Sequence, residues 1–362
     1  MKIQIVADHG TSQSAWTKAP ADVATIAERL GFVRVAAGRF RLGNFSFIRR
    51  VLRKLRLEHS FDRICWKLEL ICLRRMFGKT GGELLLQHPL PGAWTFDVRN
   101  TNDLQGLKRS GIKITVLVHD IGQLRGCSKE VGGGADHSFE EHLFSVADKL
   151  IVHNRCMLDW FKEKCPRICE TVSLDIFDYL VDAEVEMCQT HLSNRVLVAG
   201  GFGPGKAKYI QELKTIKDLD WHLYGHDFNE QTMGSEKVRF FGKFVAGKPP
   251  VSDDASWGLV WDGDSIDECA GATGSYLRWN NPHKLSLYLA MGLPVIVWKN
   301  AAVADFVEKN QVGITVGALR EIPDLLHEMS EIEYAVLLTN ARRIAKCLRA
   351  GEFASRSLAA TK

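Results

Sequence analysis

The sequence predicts an α/β protein built from two parallel sheets, each covered by helices on both faces. Three observations carry this. Short, near-continuous apolar runs alternate with helical stretches, as strands buried on both faces require. Ten such runs are too many for one doubly wound sheet of this length. The charge balance also changes sign partway along the chain. Residues 1–172 hold 27 Lys and Arg against 18 Asp and Glu, a net of +9, whereas the rest hold 20 against 25, a net of −5.

In the first half the strand runs are Ile3–Ala7, Glu83–Gln87, Lys113–His119 and Lys149–His153. Between the first two, PADVATIAERLG reads as a helix with Pro20 near its start and Gly31 just past its end. His137–Lys149 reads as amphipathic. In the second half the strand runs are Arg195–Gly200, Trp221–Gly225, Val238–Gly242, Trp257–Gly263, Pro294–Trp298 and Gly313–Val316, with a helix over Glu333–Arg349. No strong strand lies between Val172 and Arg195, so the boundary is expected near 172–194: residues 1–172, then 173–345, with 346–362 as a C-terminal tail. Gly132–Gly134 reads as a mobile loop. In such sheets ligands bind at the carboxyl ends of the strands, so the cleft between two domains is the expected site.

Composition narrows the class. A chain of 362 residues, 46% hydrophobic and 25% charged, buries a sizeable core and is neither disordered nor collagenous. No apolar run reaches the ~20 residues of a membrane span; Leu285–Trp298 is broken by Gly292 and Pro294. Asp8 interrupts the N-terminus too early for a secretory segment. Nine cysteines without a CxxC pair fit a reducing cytoplasm.

Five motifs carry possible chemistry. GGFGPGKA, Gly200 to Ala207, satisfies the phosphate-loop spacing GxxxxGK, yet Ala207 stands where a hydroxyl would ligate Mg²⁺ and Pro204 removes one N–H. It reads as a glycine-rich loop approaching a diphosphate without metal, with a triphosphatase loop or a plain turn as alternatives. Asn280–Trp298 places Pro282 in a first helical turn with Asn280 or Asn281 as cap. Lys284 then opposes the helix dipole unless an anion sits there; a solvated lysine is the alternative. His119 and Asp120, in HDIGQLR, end a strand where an acid or base can face a cleft, or His119 is held by local hydrogen bonds. Asp262–Asp264, DGD, resembles a metal-holding DxD or a pair of turn carboxylates.

The fifth motif is basic. Arg39–Lys79 contains twelve basic and three acidic residues. Within it Phe45, Ile48, Val51, Leu52 and Leu55 fall at helical spacings among Arg49, Arg50, Arg53, Lys54 and Arg56. Such a helix suits an anionic membrane surface. An ordinary helix packed on the sheet is the alternative, and a nucleic-acid patch lacks any recognised module, so no nucleic acid is expected.

HDIGQLR, LIVHNRCM (Leu150–Met157), LDIFDYL (Leu174–Leu180), the glycine loop, LVWDGDS and above all YLRWNNPHKLSLYLAMGLPVIVW (Tyr276–Trp298) resemble one bacterial glycosyltransferase family. It includes β-1,6-galactofuranosyltransferases of O-antigen synthesis and the glucosyltransferases that extend adhesin glycans in streptococci. The resemblance implies a GT-B fold, two Rossmann-like doubly wound domains facing across a cleft, with a UDP-sugar on the second. It implies that Asn280, Asn281 and Lys284 hold UDP. Gly200, Gly201 and Lys206 would approach the diphosphate, with Lys208 the neighbouring candidate. Tyr224, Phe241 and Gly242 would line the nucleoside pocket.

The expected reaction moves a hexose (galactofuranose, galactose or glucose) from a UDP-hexose to a hydroxyl of a growing cell-surface glycan, lipid-linked, with inversion. Neither metal nor cofactor is expected. Asp120 is the expected general base and His119 the second. Alternatives are a glucosyltransferase extending a GlcNAc-type glycan on a soluble glycoprotein, a phosphate-loop nucleotidase and a non-catalytic nucleotide-binding assembly subunit. The protein would be cytoplasmic and peripheral on the membrane's inner face, and a homo-oligomer is compatible with this reading.

Overall fold

The computed structural model describes residues 1–6, 15–37, 54, 58–78, 80–89, 98–125, 138–164, 169–188, 191–203, 205–228, 236–250 and 255–360. The first sheet has six parallel strands, β1 (Lys2–Val6), β2 (Phe32–Ala36), β3 (Gly82–His88), β4 (Ile112–Val118), β5 (Lys149–Val152) and β6 (Glu170–Ser173), in the order β2-β1-β3-β4-β5-β6. The second also has six: β7 (Arg195–Gly201), β8 (Asp220–His226), β9 (Val238–Phe240), β10 (Trp257–Val260), β11 (Val295–Trp298) and β12 (Gly313–Val316), ordered β12-β11-β10-β7-β8-β9. All ten expected strands are present. The two additional ones, β2 and β6, lie at the edges of the first sheet and carry polar residues.

Alternation along the central strands sends successive side chains to opposite faces, and both faces are covered. Leu84 and Leu86 of β3 and Val116 and Val118 of β4 pack against α2 (Glu58–Phe77), α3 (Val98–Lys108), α4 (Ser138–Val146) and α5 (Arg155–Lys164). Leu85, Leu117 and Ile151 point the other way, into a core shared with α1 (Ala15–Arg29) and the whole second half. The hydrophobic interior is therefore continuous across the two sheets.

α1 begins five residues before Pro20, earlier than the proline suggested. This brings Lys18 onto the helix, four residues before Asp22. In the second half, α6 (Gly271–Tyr276), α7 (His283–Ala290), α8 (Ala304–Asn310), α9 (Ile322–Glu328) and α10 (Glu331–Ala350) follow the strands. Gly258 lets Tyr288 of α7 lie flat on β10; a Cβ there would sit 2.1 Å from the ring. The Tyr288 hydroxyl accepts the Ala199 N–H at 2.7 Å, fixing α7 against the end of β7.

Of residues 346–362, expected as a tail, those described complete α10 and form α11 (Glu352–Ala359), which packs on α1. Both ends of α11 are held from the first half or the connecting segment. The Asp178 carboxylate accepts the N–H groups of Phe353 and Ala354, and the Lys149 ammonium donates to the carbonyls of Leu358 and Ala360.

Among the described residues no helix is long and apolar enough to cross a membrane. The glycine run at 132–134 and the basic helix expected over 45–55, Lys54 apart, lie outside the described residues.

Candidate active site in the cleft

The carboxyl ends of the two sheets enclose a cavity of about 490 Å³. Of the residues singled out in the sequence, His119, Asp120, Gly200, Gly201, Lys206, Asn280, Asn281 and Lys284 line it. Tyr224, Phe241 and Gly242 do not. Tyr224 stacks on Phe241 at 5.1 Å, and Phe241 is 48% exposed. Their loop reaches the cavity through the next two residues, Lys243 and Phe244.

On the first sheet's side, the loop after β4 supplies His119 and Asp120. The His119 ring lies flat on Phe177, 5.2 Å between centroids, with Nε2 2.7 Å from Gln87 Oε1. Asp120 accepts from Arg125 at 3.2 Å and from the phenol of Tyr276. Burial raises its pKa above the ordinary carboxylate value, and Arg125 and Tyr276 offset part of that rise. The Glu140 carboxylate pins the same loop through the Gly122 N–H at 2.8 Å.

On the second sheet's side, the glycine loop leaves β7. A Cβ on Gly201 would lie 2.7 Å from the His226 ring, so a side chain there would have to push that half-exposed ring aside. A 3₁₀ segment, Lys208–Thr215, follows. Lys206 lines the cavity, whereas Lys208 faces Asp264 at 3.4 Å. Asp262, the carboxylate a phosphate-loop enzyme would turn to Mg²⁺, pairs instead with Lys284 at 2.9 Å.

Lys284 also donates to the Trp261 carbonyl at 2.8 Å. Burial lowers its pKa, and Asp262 opposes that shift while Lys206 adds to it. α7 is capped differently from expectation. Its N-cap is Pro282, whose side chain makes no capping hydrogen bond to the N–H groups of the first turn. Pro282, His283 and Lys284 line the cavity, so an uncapped, positively polarised helix end borders it.

Asn281 is not the cap because its amide is used elsewhere. Its Nδ2 donates to the His153 and Asp175 carbonyls at 2.6 and 2.9 Å, and its Oδ1 accepts from Asn154 at 2.8 Å. Its backbone N–H donates to His153 Nδ1 at 2.9 Å, and burial drives the His153 pKa down to about 3, keeping that nitrogen an acceptor. Asn281 thus joins the halves at the floor of the cleft. The buried Oδ1 of Asn280, by contrast, has no hydrogen-bond partner among the described residues.

Sequence reasoning passed over Lys18, Tyr276 and His283, all of which line the cavity. Tyr276 stood inside the quoted YLRWNN string, but nothing in its spacing revealed its contact with Asp120.

The arrangement can hold an anion between Lys206, Lys284 and the start of α7, with a carboxylate and an imidazole on the facing wall. Comparison with known proteins identifies the family. Residues 2–165 match the family described as glucosyltransferase 3-like, N-terminal domain, and residues 196–361 match its C-terminal domain. The β-1,6-galactofuranosyltransferase WbbI of Escherichia coli (strain K12) is 33% identical over 244 residues, covering 67% of this chain and 68% of that protein. Glucosyltransferase 3 of Streptococcus parasanguinis is 24% identical over 285 residues, covering 77% and 78%. Among solved structures, sucrose-phosphate synthase from Thermosynechococcus elongatus superposes with a TM-score of 0.62 at 12% identity, covering 99% of this chain and 97% of that one. That likeness is one of fold, the GT-B arrangement of two facing parallel sheets.

Proposed function

The chain belongs to the glucosyltransferase 3-like family of glycosyltransferases, and on that premise we propose that it transfers a hexose from a UDP-hexose to a hydroxyl of a growing cell-surface glycan. The observation that carries this reading is the meeting, in one cavity, of Lys206 and Lys284 from the second half with His119 and Asp120 from the first.

The UDP diphosphate lies against Lys206, Lys284 and the uncapped start of α7. Negative charge grows on the leaving diphosphate in the transition state, so these preorganised donors act where charge develops. Lys284 is already held by Asp262 and meets the anion in a fixed position. The acceptor hydroxyl enters from the first sheet's side. Asp120 takes its proton while the oxygen attacks the anomeric carbon from the face opposite UDP, and the configuration inverts. The raised pKa of Asp120 suits a base. Two lysines and a helix end neutralise the diphosphate, so the reaction needs no metal.

The donor sugar is galactofuranose in this reading, after the relative with the higher identity, and glucose in the alternative suggested by the streptococcal one. The acceptor is a lipid-linked glycan at a membrane surface. Thermal-shift measurements with UDP, UDP-glucose, UDP-galactose and UDP-galactofuranose test the donor, because a selective ligand raises apparent stability by mass action. The expected result is stabilisation by UDP and most strongly by one UDP-hexose. No shift with any of them overturns the reading. Loss of transfer on chelation, restored by Mg²⁺ or Mn²⁺, overturns the metal-free mechanism and assigns Asp262 and Asp264 to metal.

A further inference from the structure

Helix α2 buries Trp66, Leu70, Leu73 and Phe77 against the first sheet. Its opposite face is unusual. Ile64, Leu68 and Ile71 are 58%, 42% and 45% exposed, at the i, i+4, i+7 spacing of one helical stripe. Lys67, Arg74 and Arg75 are also exposed, and with the three apolar residues they fall within an arc of about 120°. From residue 63 to 78 no exposed residue is acidic. Lys67 and Arg63 share Asp103, at the stripe's flank, while Arg74 and Arg75 close its C-terminal end.

A solvated helix face carries charge of both signs and few large apolar side chains. A protein–protein face carries the apolar residues but does not call for the excess of positive charge found here. An apolar stripe whose C-terminal end carries two exposed arginines, and whose one flanking carboxylate, Asp103, is already paired with Arg63 and Lys67, is complementary to a surface that is apolar inside and anionic at its rim. We propose that the outer face of α2 docks on an anionic lipid bilayer, with Ile64, Leu68 and Ile71 entering the headgroup region and Arg74 and Arg75 meeting lipid phosphates. The apolar side chains give the depth and the cations the preference for anionic lipid. This rests on the proposed function only in that a lipid-linked acceptor explains why the enzyme visits a membrane.

The test is flotation of the full-length protein with vesicles of phosphatidylcholine alone or mixed with phosphatidylglycerol. Binding is expected to the mixed vesicles and to fall with salt. Ile64→Asp with Ile71→Asp is expected to weaken binding at least about tenfold, since each forfeits apolar burial. Arg74→Glu with Arg75→Glu is expected to weaken it at least fivefold per charge removed, about. These positions are on the surface, so an unchanged melting temperature confirms the fold. Equal binding to neutral vesicles, or binding indifferent to both pairs, overturns the proposal. So does a concentration-dependent dimer that Ile64→Asp with Ile71→Asp dissociates, which would assign the stripe to a second copy of this chain. Transfer to a water-soluble acceptor separates the two readings. If transfer persists without vesicle binding, only the docking face fails; if vesicle binding persists without any transfer, only the reaction fails.

Discussion

Tyr276, at the end of α6 on the second sheet's side of the cleft, donates its phenol to Asp120 on the first sheet's side. Its oxygen accepts the Ile121 N–H at 3.2 Å, and Arg125 lies 5.4 Å from the centre of its ring. The carboxylate proposed as base is therefore oriented by the half of the protein proposed to bind the donor.

Asp120→Asn is expected to abolish transfer while leaving UDP binding intact, because the base acts on the acceptor. Single-turnover transfer and calorimetry with UDP check the two halves of this statement. Near-normal transfer would move the base to His119 or elsewhere.

Tyr276→Phe removes a donor to the charged form of Asp120. Losing it destabilises the carboxylate, so its pKa rises further. The acid limb of the kcat/KM profile, already above the ordinary carboxylate range because of burial, is expected to shift to higher pH. An unmoved acid limb would separate Tyr276 from Asp120.

Lys284→Ala is expected to weaken UDP binding about ten- to a hundredfold, the worth of a charge-assisted hydrogen bond. It also strands buried Asp262, which costs about 3–5 kcal/mol in such pairs. Lys284→Ala with Asp262→Ala is expected to recover most of the melting temperature and none of the UDP affinity. If affinity returns with stability, Lys284 serves the fold rather than the nucleotide.

Two buried carboxyls predict how stability depends on pH. Burial raises Asp22 to about 6, against the pull of Lys18, and Asp178 to about 7, against its two backbone donors. Both exceed their unfolded value of about 4. The folded protein then holds more protons than the unfolded chain between about pH 4 and 7. Their contribution to stability is full below that window and is lost as pH rises through it. The melting temperature is expected to gain from this pair at pH 5 relative to pH 8, and Asp22→Asn is expected to flatten the slope.

Much of the site was legible because its chemistry restricts residue types. A glycine loop after a strand, a lysine in a helix's first turn and a His-Asp pair at a strand end are unusual wherever they occur. What stayed hidden depends on contacts across the fold. Asn281 looked like a cap, yet its partners His153 and Asn154 lie more than a hundred residues away and claim its amide. Pro20 marked a helix start that the backbone reaches five residues sooner, which concealed Lys18. Strands β2 and β6 escaped because edge strands need no continuous apolar run. β2 alternates poorly, with Val33 and Arg34 both exposed, and β6 reads ETVS with every residue half-buried.

The grip on α11 has a consequence for biosynthesis. This helix covers α1 of the first half, with Gly351 so close to Ile26 that a Cβ would lie 2.6 Å from it. Translation produces α11 only after every strand of the second half. A nascent first sheet can form while the ribosome is still working, but the groove beside α1 stays open to water and to chaperones until residues 352–359 emerge. The N-terminal unit is thus the first to be synthesised and cannot be the first to be finished.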